Sequence, residues 1–134
     1  MVRHLKFLLL DKNPEDRFII AQALLRDFPR AVLQECQDPA AALQEIQRAA
    51  PTAVFIHATR DKTGPEIVRE VRALDPALMI ISLSRVPEEA DAIAAGANRF
   101  LQADQWQMAG MLVKELLGIP KNKDGNTPLA RPPH

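Results

Sequence analysis

Residues 5–16 read LKFLLLDKNPED, and this stretch decides the fold. Its first half is a nearly continuous apolar run, which is typical of a strand that is covered on both faces. Asn13 then supplies an N-cap, Pro14 suits the first helical position, and the acids Glu15 and Asp16 suit the positive end of a helix. The stretch therefore predicts a buried strand that leads directly into an α-helix.

The same order of elements recurs four more times along the chain. The predicted strands are residues 5–10, 31–36, 52–57, 78–83 and 98–102. The predicted helices are residues 14–28, 39–50, 64–74, 87–95 and 106–117. Helical spacing predicts that the first helix buries Phe18, Ala21, Leu25 and Phe28. Five strand–helix units with short linkers indicate a parallel sheet with helices on both faces.

Composition limits the classes of function. The 134 residues fit one domain, and 17 basic residues balance 17 acidic ones, so we expect no nucleic-acid or membrane partner. The single cysteine, Cys36, excludes an intramolecular disulfide framework. Because no apolar run is long enough for a membrane helix or a signal peptide, we predict a cytoplasmic protein. Residues 119–134 are polar and rich in proline, which predicts a disordered tail after a folded domain over residues 1–118.

The predicted topology also indicates where a functional site would lie. In open parallel sheets, ligands bind beyond the carboxyl ends of the strands. This rule selects Asp11 and Lys12 after the first strand, His57 after the third, Ser84 after the fourth and Ala103 after the fifth.

Four segments carry a resemblance to a known family. They are LLLDKNP at 8–14, RALDP at 72–76, SLS at 82–84 and AAGANRFL at 94–101. In this order they resemble the receiver domain of two-component response regulators, the CheY-like family, over residues 5–118. The resemblance implies a flavodoxin-like, doubly wound (βα)5 three-layer sandwich with strand order 2-1-3-4-5. It also implies that Phe100 stands at the family's switching aromatic, although a core role is favoured for it.

The family's phosphorylation site is only partly present. Receivers use a carboxylate nucleophile, two acids that hold Mg²⁺, a hydroxyl and a lysine. Asp11 matches the first acid and Ser84 the hydroxyl, whereas Lys12, His57 and Ala103 replace the second acid, the phospho-acceptor and the lysine. We therefore predict no cofactor and weak or absent Mg²⁺ binding. A further hypothesis is that the Lys12 ammonium pairs with Asp11 in place of the ion.

Several alternatives remain open for these residues. His57 is interpreted as an unreactive imidazole, and the less favoured roles are a phosphohistidine, a pH-responsive group and a transition-metal ligand together with Asp11 or Asp61. Ser84 is either a switch hydroxyl or a cap for the following turn. Met108 is interpreted as a core residue.

These features predict a stand-alone pseudo-receiver that is not an enzyme and acts by protein–protein contact. The resemblance places the contact surface on the fourth helix, fifth strand and fifth helix, and implies a sensor histidine kinase or a second copy of the chain as partner. The candidate surface residues are Arg85, Arg99, Trp106 and Lys114. The alternatives are a small flavodoxin-like or cobalamin-binding domain and an atypical receiver phosphorylated on Asp61.

Overall fold

The computed structural model describes residues 5–119. Its strands are β1 (Lys6–Leu10), β2 (Val32–Cys36), β3 (Ala53–Ile56), β4 (Met79–Ser84) and β5 (Arg99–Gln102). Its α-helices are α1 (Pro14–Asp27), α2 (Pro39–Arg48), α3 (Gly64–Leu74), α4 (Glu89–Ala95) and α5 (Ala109–Leu116). A 3₁₀ helix, Ala103–Met108, lies between β5 and α5.

The five strands form one sheet in the order β2-β1-β3-β4-β5, and every neighbouring pair is parallel. Successive residues of β1 point to opposite faces, so Leu8 and Leu10 enter one apolar core while Phe7 and Leu9 enter the other. The first core lies under α2, α3 and α4, and the second lies under α1 and α5. The predicted three-layer (βα)5 sandwich and its strand order are confirmed.

The helix starts follow the predicted capping chemistry. Asn13 accepts the Glu15 N–H at 2.8 Å at the start of α1, and Asp38 caps α2. At α3, Thr63 and Glu66 form a reciprocal capping box, in which each side chain accepts the other residue's backbone N–H. These caps satisfy amides that have no partner inside the helix.

Two details of the helices differ from prediction. The buried face of α1 consists of Asp16, Arg17, Ile20, Ala23 and Leu24. Of the residues predicted to be buried, Phe18 is 63% exposed, and the other three, Ala21, Leu25 and Phe28, are only half-buried. The predicted last helix starts earlier than expected, as the 3₁₀ helix, because Gln102 and Gln105 cap a tight turn there. Met108, the last residue of this 3₁₀ helix and also predicted in the core, is half exposed.

The predicted tail lies outside the described residues apart from Ile119, so the domain boundary stays a prediction. Within residues 5–119, no helix has both the length and the apolar character that crossing a bilayer requires.

Candidate functional site

The carboxyl ends of β1 and β3 bring Asp11 and His57 together. The His57 backbone N–H donates to the Leu10 carbonyl at 2.9 Å, which continues the pairing of the two central strands by one residue. The imidazole Nδ1 lies 2.9 Å from the Asp11 carboxylate oxygen Oδ2. His57, at the predicted acceptor position, is therefore hydrogen-bonded to Asp11, the acid that the sequence retains after β1.

Asp11 is held by backbone and side-chain partners on both sides. Its second carboxylate oxygen, Oδ1, accepts the Asn13 N–H at 2.9 Å. Its backbone carbonyl accepts a hydrogen bond from the guanidinium of Arg17, whose Nε also donates to Glu35 at 2.5 Å. Because Asp11 is only 3% exposed, these contacts fix its carboxylate in one orientation at the carboxyl end of β1.

Asp16, in the first turn of α1, is a member of the site that the sequence reasoning missed. It is 2% exposed, and its Oδ2 lies 3.5 Å from His57 Nδ1. Burial raises the pKa of Asp16, and the neighbouring Asp11 charge raises it further, against the opposing effects of Arg85 and His57. The ionisable side chains that converge here are therefore Asp11, Asp16 and His57.

The signal for Asp16 was present in the helix pattern. Ile20, Ala23 and Leu24 form the apolar face of α1, and Asp16 lies one turn before Ile20 on that face. Its place in the first turn predicts only an acid that complements the helix dipole, a role in which it would be solvent-exposed.

Arg85 and Trp106 complete the site from the other side. The Arg85 guanidinium forms an ion pair with Asp16 Oδ1 and lies 5.1 Å from the centre of the Trp106 ring. The indole meets the His57 imidazole edge-on, with ring centres 5.6 Å apart, and donates its N–H to the Leu101 carbonyl at 3.1 Å. Arg85 thereby links the loop after β4 to α1.

The remaining predicted site residues lie apart from this cluster. Lys12 is exposed, and no ion pair joins it to Asp11, so the hypothesised Lys12–Asp11 pair is wrong; His57 takes that place. Ser84 is buried, and its hydroxyl accepts the Val86 N–H at 3.0 Å, which is the turn-capping alternative. Phe100 packs half-buried against the first core, and Ala103 packs against the second.

Two of the four candidate surface residues are not on the surface. Trp106 is 1% exposed because its ring fills the space between the sheet end and α1. Lys114 has a 12% exposed side chain because it pairs with Asp27 of α1 at 3.1 Å. Arg85 and Arg99 are more than two-fifths exposed, and Arg99 lies 3.5 Å from Glu115.

The donor set does not fit Mg²⁺, the ion that the fold family implies. Mg²⁺ prefers octahedral oxygen ligands and retains several waters. Here one of the converging donors is an imidazole nitrogen, Lys12 stands where a second acid would be, and the carboxylates of Asp11 and Asp16 are nearly fully buried.

Comparison with known proteins places this geometry in a familiar fold. No protein-family model matches the chain, and no curated protein matches it in sequence. Among solved structures, one assigned as a response regulator from Chloroflexus aurantiacus is 21% identical, with a TM-score of 0.76 over 87% of this chain and 99% of that one. The receiver domain of a DNA-binding response regulator from Colwellia psychrerythraea is 16% identical, with a TM-score of 0.74 over 85% and 98%.

The chemotaxis response regulator CheY4 of Vibrio cholerae is similar at 20% identity, with a TM-score of 0.68 over 87% of this chain and 98% of that one. At these identities the likeness is one of fold. The chain has the CheY-like receiver fold that its sequence motifs predict.

Proposed function

We propose that this chain is a receiver-like domain of two-component signalling in the cytoplasm, that it does not accept a phosphoryl group, and that it acts by contacting other proteins. The observation that carries the proposal is the bonding of His57. At the end of β3, where a receiver has its carboxylate nucleophile, an imidazole nitrogen lies 2.9 Å from Asp11. A covalent acyl phosphate needs a carboxylate at that point.

The surroundings of His57 support the same conclusion. Phosphoryl transfer relies on positive charge that neutralises the transferring oxygens. The Arg85 guanidinium that borders the site is already paired with Asp16, and Ala103 offers no charge after β5. The buried carboxylates of Asp11 and Asp16 also repel a phosphate, which argues equally against the flavodoxin-like alternative.

Incubation with acetyl phosphate followed by intact-mass measurement tests phosphorylation. We expect no mass increase of one phosphoryl group in the wild-type chain. The matched control is the triple variant Lys12→Asp, His57→Asp, Ala103→Lys, which places the family's residue types at all three departures. A phosphoryl adduct on wild type that maps to His57 or Asp61 would contradict the proposal and favour the atypical-receiver alternative.

The contact surface that we propose comprises the exposed sides of α4, β5 and α5. It presents Ile93 of α4 at 44% exposure and, from the adjoining 3₁₀ helix, Met108 at 50% exposure, and β5 and α5 contribute the Arg99–Glu115 pair. Exposed apolar side chains on a surface that also carries charged ones are typical of protein interfaces. Its proposed partners are a sensor histidine kinase or a second copy of the chain.

Surface variants test this contact. Ile93→Lys should weaken self-association in sedimentation experiments, or weaken binding to purified sensor histidine kinases. Val32→Lys is the matched control, because Val32 is 53% exposed on β2 at the opposite edge of the sheet. Equal effects of the two variants would show that the proposed surface is not the contact.

A further inference from the structure

We propose that Asp11, Asp16 and His57 form a binding site for a transition-metal ion of the Zn²⁺ class. One ligand atom from each side chain lies within 4.8 Å of those of the other two. Asp11 follows the end of β1, Asp16 lies in the first turn of α1, and His57 follows the end of β3. The sheet and the second core hold these three segments together. The inference does not depend on which protein the domain contacts.

The distances match those around a four-coordinate ion. Zn²⁺ lies about 2.0–2.2 Å from nitrogen and oxygen ligands, so two ligands at a tetrahedral angle lie about 3.4 Å apart. His57 Nδ1 is 2.9 Å from Asp11 Oδ2 and 3.5 Å from Asp16 Oδ2. An ion between these atoms would therefore require only small movements of the side chains.

The outer oxygens of both carboxylates already have partners outside the cluster. Asp11 Oδ1 accepts the Asn13 N–H, and Asp16 Oδ1 accepts from Arg85, so each carboxylate directs its Oδ2 toward His57. Such outer contacts orient the ligands of protein metal sites. They hold these donors in place before any ion binds.

The charge of Asp11 gives an independent reason for a cation. Its carboxylate is nearly fully buried, and over residues 5–119 it pairs with no lysine or arginine side chain. Arg17, the nearest guanidinium along α1, bonds the Asp11 backbone carbonyl and Glu35 instead. A buried carboxylate without a permanent counter-charge is costly, and a bound metal ion would supply that charge.

The donor types select the class of ion. Imidazole with two carboxylates suits zinc, cobalt and related ions, whereas Mg²⁺ favours all-oxygen sites that retain a water shell. The side chains of Asp11, Asp16 and His57 are 4%, 2% and 14% exposed, which leaves little room for that shell. The site should therefore prefer Zn²⁺ or Co²⁺ to Mg²⁺.

Titration of the untagged full chain with Zn²⁺, Co²⁺ and Mg²⁺ tests the inference. Zn²⁺ is followed by competition with a chromophoric chelator, and Co²⁺ by the visible absorption of a four-coordinate centre. We expect one Zn²⁺ per chain, and at least about tenfold weaker binding in His57→Gln and in the nearly isosteric Asp16→Asn. Circular dichroism confirms that each variant is folded.

Two further variants sharpen the result. The double variant His4→Gln, His134→Gln removes the chain's other histidines and should bind Zn²⁺ as the wild type does. His57→Asp should shift the preference from Zn²⁺ toward Mg²⁺, because it replaces nitrogen with oxygen. No Zn²⁺ or Co²⁺ binding at about 1 mM metal, or full binding in His57→Gln, would overturn the inference.

Discussion

Gly110 allows α1 and α5 to approach closely, and replacing it gives the sharpest test of the packing. A Cβ at this position would overlap the Asp27 carboxylate and lie 2.9 Å from the Ala23 carbonyl oxygen. The Asp27 carboxylate cannot move away freely, because its other oxygen is bonded to Lys114 at 3.1 Å. Gly110→Ala must therefore push the two helices apart or break that ion pair.

The size of the effect follows from two opposing contributions. Overpacking a well-packed contact costs about 1–3 kcal/mol. Alanine regains up to about 1 kcal/mol through its higher helix propensity. We expect Gly110→Ala to lower the free energy of unfolding by about 1–2 kcal/mol, and the melting temperature by about 4–8 °C.

Urea denaturation followed by circular dichroism measures this change. Gly64→Ala is the matched control, since its Cβ would meet Ser82 Oγ at 3.7 Å, an ordinary contact, and should change stability by less than about 0.5 kcal/mol. The cost of Gly110→Ala should also fall in an Asp27→Ala background, where the overlapping carboxylate is absent. Wild-type stability of Gly110→Ala, or an unchanged cost in that background, would refute the reasoning.

Two further predictions concern charged groups away from the site. Hydrogen bonds from Arg48 and Lys6 lower the pKa of Glu45 to about 2 from 4.5, so its stabilising effect is present above pH 4.5 and is lost as the pH falls toward 2. Glu45→Gln should therefore be less stable than wild type at pH 7. In urea denaturation, the difference in free energy of unfolding between the two should disappear between pH 4.5 and 2. A difference that does not change with pH would contradict this. Arg72 donates to four backbone carbonyls and one side-chain oxygen around the ends of α3 and α4. Arg72→Ala should lower the free energy of unfolding by about 1–3 kcal/mol in thermal unfolding. Arg72→Lys should recover little of that loss, because one ammonium cannot reach the ends of both α3 and α4. Full recovery of wild-type stability would count against that explanation.

Most of the fold was predictable because its signals are local. Continuous apolar runs mark the buried strands, and Asn13, Asp38 and Thr63 mark helix starts by side-chain bonds that span only two or three residues. The exposed face of α1 was not predictable in the same way. Phe18 and Ile19 are apolar and exposed there while Asp16 is buried, so hydrophobic spacing indicates the wrong face.

The site was predictable in position but not in its bonding. The pairing of β1 with β3 brings residues 11 and 57 side by side at the carboxyl ends of the strands, and that follows from topology. The ion pair of Arg85 with Asp16 does not, because it depends on which long side chain reaches that buried carboxylate across 69 residues of sequence. Contacts of this kind are set by tertiary packing.

The position of Trp106 gives this protein an optical property. The 134 residues contain one tryptophan and no tyrosine, so the ultraviolet emission excited at long wavelength comes from this indole alone. That indole touches the His57 imidazole and lies under the Arg85 guanidinium. Any event that changes the charge on His57, or displaces Arg85 from Asp16, should therefore alter the wavelength or intensity of the intrinsic fluorescence. No attached dye is needed to follow it.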